Sequence, residues 1–203
     1  EFYKIFIDEE GIYKITGHDL KNAGLDIRTI IPDRIKIFNN GGYQLPKPLY
    51  APRSESLIEN AILVEDGGDG SFDEDDFIIF YGKSVNNWQF DRERRTFSHY
   101  LHPYSKENVY WLSWQDQKPG KRIVQRIISP VGEVTQINSF IDHIYIEKEF
   151  HNILESGTIW LGQYFSQAAT ERRYLINFKH GVPNSQVHLR LRLAGISNGG
   201  HQF

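Results

Sequence analysis

Residues 65–82 read EDGGDGSFDEDDFIIFYG, and the fold turns on how this stretch is divided. Acidic side chains and glycines crowd Glu65 to Asp76, and Phe77–Tyr81 follows as an aromatic and β-branched run with strand character. Ala61–Val64 is a second short apolar run just before it. The acidic stretch therefore reads as the connection between two strands of a hairpin, with glycine and aspartate supplying the turns. The same carboxylates, at near-alternate spacing, are also the donor type a hard cation takes. Asp66, Asp69, Asp73 and Asp76 are the candidate calcium ligands, helped by a backbone carbonyl. With Gly70 placed at the glycine position of an EF-hand loop, Glu65, Asp69, Asp73 and Asp76 fall on ligand positions, but Gly67 occupies one that needs a side chain. Strands rather than helices flank the loop, so it is not an EF-hand. The alternative is a solvated acidic turn, whose internal repulsion is screened over a Debye length of about 8 Å.

Period-two patterning extends outward in both directions from this hairpin. Phe2–Ile7 and Gly11–Thr16 flank Asp8-Glu9-Glu10-Gly11 and read as a hairpin. Thr16 and Asp19 have capping-box spacing, which predicts one short helix near residues 17–23, with Gly24 as its stop. Arg34–Phe38 reads as a strand ending in the Asn39-Asn40-Gly41-Gly42 turn, and prolines make 46–52 an extended loop. Val109–Trp114 and Lys121–Ile128 are further strands, and Ser129-Pro130 breaks the chain. Beyond it, Ile141–Glu149, Ile159–Phe165, Arg173–Lys179 and Gln186–Ala194 carry strand patterns. In the last of these Val187, Leu189, Leu191 and Leu193 face one way and His188, Arg190 and Arg192 the other, the pattern of a half-buried antiparallel strand. The expected fold is mainly β, an antiparallel sandwich of jelly-roll-like form. Residues 1–128 are expected to form one β-rich domain and 129–203 a second. No strand returns after Gly199-Gly200 to pair with what precedes it, so the second domain reads as loosely ended or cut from something longer.

Composition narrows the function classes. The 203 residues carry a net charge of -3, which argues against nucleic acid as a partner. The chain has no cysteine, and with that go disulfides, thiol nucleophiles and thiolate metal sites. It has no methionine either, and so reads as a mature or excised piece. No apolar run approaches the ~18 residues of a membrane span.

The remaining candidates each have a plainer reading beside the functional one. Gly195-Ile196-Ser197-Asn198-Gly199 has the letters of a nucleophile elbow, but only His201 follows as a partner, and a glycine-rich turn explains it. His99 and His102 lie three apart in strand or loop, where metal-ligand spacing has no helix to act through; His143, His151, His180 and His188 are scattered along strand patterns. Trp88, Tyr104, Tyr110, Trp111, Trp114 and Trp160 offer two uses, a sugar-stacking platform or the core, and Tyr110 and Trp111 face opposite sides of their strand.

Four segments, taken in order, resemble a known family: GIYKIT (11–16) with RIKIFNNGG (34–42), DGGDGSFDEDDFIIFYG (66–82), YSKENVYWLSW (104–114), and NILESGTIWLGQYF (152–165) with VHLRLRLAGIS (187–197). Their order resembles the region preceding the protease domain in gingipain-type cysteine peptidases, including the sortase of the type IX secretion system. The resemblance implies an exported bacterial protein, secreted or at the cell surface, and a caspase-like domain downstream. The family's catalytic cysteine and histidine have no counterpart here, since the chain lacks cysteine. What the resemblance implies for this chain is a non-catalytic, prodomain-like accessory region whose partner is that downstream domain or a cell-surface protein. The rival expectation is a carbohydrate- or protein-binding β-sandwich module.

Overall fold

The computed structural model describes residues 1–126, 136–152, 155 and 159–196. In chain order they form β1 (Tyr3–Ile7), β2 (Gly11–Thr16), α1 (Gly17–Asn22), β3 (Lys36–Phe38), β4 (Glu59–Asn60), β5 (Leu63–Glu65), β6 (Phe77–Gly82), β7 (Asn87–Asp91), β8 (Thr96–Tyr100) and β9 (Asn108–Ser113). Single 3-10 turns, Ile27–Thr29 and Pro32–Arg34, lie between α1 and β3. Among the described residues the protein is mostly β and antiparallel, with one short α-helix, as its patterning predicts. One sheet has the order β1-β9-β3-β4, a second the order β2-β6-β5, and β7-β8 stand as a separate hairpin.

Alternation decides which side chains meet. Ile5 pairs with Tyr110, and Tyr3 and Ile37 both pair with Leu112, which sets these residues on the inner face of the first sheet. Tyr13 pairs with Phe80, and Ile15 and Val64 both pair with Ile78, on the inner face of the second. The two faces share one core, to which Leu20, Ile27, Ile30, Ile35, Ile62 and Phe72 add from the connections. Phe80 and Tyr110, one from each sheet, pack with ring centroids 5.3 Å apart. Burying each large apolar side chain contributes about 1.5–3 kcal/mol, so this layer outweighs any single polar contact in the molecule.

The hairpin expected from Phe2–Ile7 and Gly11–Thr16 does not form. β1 pairs with β9 and β2 with β6, so residues 8–10 cross from one sheet to the other. Both strands carry an apolar row, and placing them in opposite sheets buries both rows in one core. The crossing is held by Ser84 Oγ donating to Asp8 O at 2.7 Å and Tyr13 Oη donating to Glu9 O at 2.7 Å. The β5–β6 hairpin around the acidic loop forms as expected, with Leu63 opposite Ile79 and Glu65 opposite Phe77. The β7–β8 hairpin has no counterpart in the sequence reading, because residues 91–96 hold the charged run DRERRT, which hid the alternation on either side.

After β9 the chain returns across the start of β3. Lys36 Nζ donates to Asp116 Oδ2 at 2.6 Å, and Arg122 donates to Ile35 O at 3.0 Å and Pro32 O at 2.7 Å. Of the strand expected at Lys121–Ile128, the described part makes one parallel bridge, Arg122 with Ile62.

The chain divides into two compact units, Glu1–Gly162 and Gln163–Phe203. The break expected at Ser129-Pro130 lies outside the described residues. Residues 141–149, 173–179 and 186–194 are not strands, contrary to their patterning; 159–165 retains only the Leu161–His151 bridge. In the second unit Arg172 lies over the Tyr164 and Phe165 rings and donates to Tyr164 O at 2.5 Å. The physical reason for the missing strands is pairing. A strand satisfies its N–H and C=O groups only against a neighbour, and among the described residues these segments have none.

Candidate functional site

The acidic loop is the first candidate, and its geometry follows from the residues at each turn. Gly67, Gly68 and Gly70 all take left-handed φ values, between +64° and +81°, which lets residues 66–71 reverse twice in a short span. Asp66 Oδ1 accepts from Gly68 N at 3.1 Å and Asp69 Oδ1 from Ser71 N at 2.8 Å, two turns closed by aspartate side chains. Phe72, 2% exposed, anchors the middle of the loop in the core. Asp76 Oδ2 then accepts from Asp73 N at 2.6 Å.

The second half of the loop caps α1. Gly17 N donates to Asp76 O at 2.8 Å and His18 N to Glu74 O at 3.0 Å. Asp19 N donates to Thr16 Oγ1 at 3.0 Å, and Thr16 N returns a bond to Asp19 Oδ2 at 2.9 Å, the capping box that the sequence predicts. The open N–H groups of the first turn are thus met by loop carbonyls and one hydroxyl, and acidic side chains lie at the positive end of the helix. A Cβ on Gly17 would sit 1.9 Å from Asp73 O, so only glycine admits the loop this close. Glu74 pairs with Lys21 and, at 3.2 Å, with His18. The Lys21 ammonium, then His18, hold the Glu74 carboxyl below its usual range, and the Thr16 hydroxyl and amide do the same for Asp19. At the other end, Gly24 N donates to Lys21 O and Leu25 N to Leu20 O, closing the helix at the predicted stop.

Asp66, Asp69 and Asp76 therefore each give an oxygen to a main-chain N–H, and Asp73 presents its carbonyl to α1. Among the described residues no group of three or more His, Cys, Asp or Glu side chains is placed to hold a metal ion. The feature missed in the sequence is Glu74, which ties the loop to α1; a lysine and a histidine three apart on one helical turn, Lys21 and His18, were the available signal.

A cleft of about 410 Å³ is lined by Asn39, Asn40, Ile58, Asn60, Tyr81 and Lys83, among others. Its amides serve the backbone. Asn39 Nδ2 donates to Asn108 Oδ1 and Val109 O, each at 2.9 Å, and Asn39 Oδ1 accepts from Gly41 N at 2.7 Å. Asn40 Oδ1 accepts from Ile58 N at 2.8 Å and its Nδ2 donates to Ser56 O at 2.9 Å. Tyr110 Oη accepts from Lys83 N at 2.8 Å, and burial pushes that phenol up. Tyr81 hydrogen-bonds Glu10, which raises the Tyr81 phenol as well.

The tryptophans are occupied too. Trp114 is buried and stacks on Tyr3 at 5.0 Å. Trp111 lies on the outer face of β9, with Phe2 against it edge-on at 6.5 Å and the Lys4 ammonium 5.2 Å above its ring. Trp88 meets His99 at 5.0 Å and His143 at 5.2 Å. Trp160 is 41% exposed, and Tyr104 is exposed. His99 and His102 do not converge on a shared point with a third ligand. Residues 197–203, which include Ser197 and His201, lie outside the described residues.

No family model matches the sequence, and no curated protein matches it. Among solved structures the chain is similar to the crystal structure of dimeric latent PorU from Porphyromonas gingivalis, over 59% of this chain and 10% of that one, with 23% identity and a TM-score of 0.43. The chain thus spans about a tenth of the length of that protein.

Proposed function

We propose that this chain is a non-catalytic accessory region of an exported bacterial gingipain-type peptidase or secretion sortase, and that it works by contact with a protein partner. The four ordered motifs support the family. One observation carries the mode of action: Val187, Leu189, Leu191 and Leu193 alternate with polar residues in the sequence, are not paired in a strand, and stand 49–70% exposed. Backbone that alternates in this way is ready to add to the edge of a sheet, where main-chain bonds give affinity and alternate side chains give specificity. The partner of first choice is the caspase-like domain of the same polypeptide. The acidic loop serves the fold by capping α1, and calcium is not required for that role.

The test is association. The chain, titrated with the downstream domain supplied as a separate polypeptide, is expected to bind saturably, and Leu189→Ser with Leu191→Ser is expected to weaken binding at least tenfold. Absence of binding, or peptide cleavage by the purified chain that a point substitution abolishes, would overturn the proposal. Three of the rings offered for a carbohydrate platform, Trp88, Trp111 and Trp114, already pack against Tyr, Phe, His or Lys neighbours, and Tyr104 and Trp160 are the exposed ones that remain. A glycan array is expected to be blank.

A further inference from the structure

The β7–β8 hairpin and the loop that follows it contain two histidines whose surroundings suit only the neutral ring. His102 Nδ1 accepts two main-chain bonds, from Ser105 N at 2.9 Å and Tyr104 N at 3.2 Å. The main-chain N–H of His102 donates to Asn86 Oδ1 at 2.9 Å, which ties the loop back to the start of β7. Two donors converging on one ring nitrogen require a lone pair there, so the proton of neutral His102 sits on Nε2. Protonation puts a third N–H against those two and removes both bonds.

His99 has a different reason for the same preference. Its ring stacks on Tyr145, with centroids 3.9 Å apart and planes 16° from parallel, and meets Trp88 edge-on at 5.0 Å. Its Nδ1 is buried and has no hydrogen-bond partner. In the imidazolium both ring nitrogens carry protons, so Nδ1–H would point where nothing accepts it. A cation over an aromatic face is attracted to it, but this stacking is already made by the neutral ring, whereas the buried donor is new and uncompensated.

These contacts also hold residues 142–147 against the hairpin. His143 lies 4.5 Å from Phe97 and 5.2 Å from Trp88, while Tyr145 covers His99 and hydrogen-bonds Glu147. The titratable group facing His99 is Tyr145, with Glu147 behind the tyrosine, and His143 shares Trp88 with His99 as a neighbour. Those facing His102 are Tyr100 and Tyr104, at 6.4 and 6.1 Å.

We propose that the β7–β8 hairpin, the 101–107 loop and residues 142–147 form an acid-labile latch, held shut by neutral His99 and His102. Burial pushes both imidazoles below their ordinary value of 6.5. A histidine depressed in the folded state contributes stability that is whole above the unfolded value and falls as pH drops below it. The latch is closed at neutral pH and loosens below about pH 6.5. The two sandwich sheets, whose core is apolar, do not follow it over that window.

The experiment is hydrogen exchange on the 203-residue chain at pH 7.5 and 5, expressed as protection factors so that the intrinsic pH dependence cancels. Protection at 87–107 is expected to fall by on the order of tenfold or more at pH 5, with β1, β2, β6 and β9 unchanged. His99→Phe with His102→Asn keeps a ring at one site and an acceptor at the other, and is expected to flatten the response. Wild-type protection that persists at pH 5, or a response of equal size in the double variant, would overturn the proposal. Should that variant fail to fold, NMR titration of the wild-type rings decides: midpoints below 6.5 for both support the latch, and midpoints at or above 6.5 refute it.

Discussion

FIIFYG at 77–82 and VHLRLRL at 187–193 are both written as strands and meet different ends. The first, β6, lies between β2 and β5, and its Ile78 and Phe80 are 0% and 1% exposed. The second has no strand neighbour among the described residues, and its leucines stand in the open. The alternation of the second is the cleaner of the two. Patterning states what a segment is able to do; a partner determines whether it does it. The polar groups divide the same way. In the sandwich, carboxylates and amides are spent on turns, caps and crossings. In 186–194 the apolar row itself is what remains available.

The sharpest way to break the contrast is to damage the packed side. Phe80→Ala removes the ring that joins the two sheets through Tyr110 and packs on Tyr13 within its own sheet, and thermal or urea unfolding is expected to show a loss of about 3–5 kcal/mol. Gly17→Ala comes next. The added methyl meets the Asp73 carbonyl, a main-chain atom that moves only if the loop does, and the expected loss is about 1–3 kcal/mol. A variant as stable as the parent would mean that the acidic loop does not dock on α1.

How far the sequence led is clearest at those two sites. The β5–β6 hairpin, the Thr16–Asp19 capping box and the Gly24 stop were all legible, because each depends on residues close together in the chain. The sheet assignment of β1 and β2 was not. A three-residue link suits a hairpin and a crossing equally, and only the distant β9 and β6 choose between them. The strands expected after residue 136 failed for the converse reason, since their local signal was sound and the neighbour was lacking. At the acidic loop the residue types were legible but not their use: nothing in EDGGDG states that Glu74 and Asp76 carbonyls meet the first turn of α1. Nor does a sequence show that the lone pair of His102 is engaged by two amides.

Smaller effects refine the picture. Asp19, Glu74 and Asp116 are all held below their usual carboxyl range, by Thr16, by Lys21 and by Lys36 respectively. Carboxyls lowered by folding give stability above their unfolded values that is lost as pH falls through the folded ones. The sandwich is therefore expected to yield only below about pH 4–5, a separate step from any change that begins near 6.5; a single transition reported equally by both regions would contradict this. Asp69→Ala combined with Asp73→Ala leaves the contacts of Glu74 and Asp76 with α1 in place. Its expected cost is under about 1 kcal/mol, with the same Tm in millimolar calcium as in chelator. A calcium-dependent rise in Tm that this pair abolishes would restore the loop as a metal site. Leu189→Ser with Leu191→Ser touches no packed group and is expected to change stability by less than about 0.5 kcal/mol.

The most direct test compares the two strand-like segments in one sample. Hydrogen exchange of the chain at neutral pH is expected to show strong protection at Ile78, Phe80, Tyr110 and Leu112, and near-intrinsic rates from Val187 to Leu193. Equal protection in both segments would mean that 187–193 already has its partner within this chain, and would contradict the account.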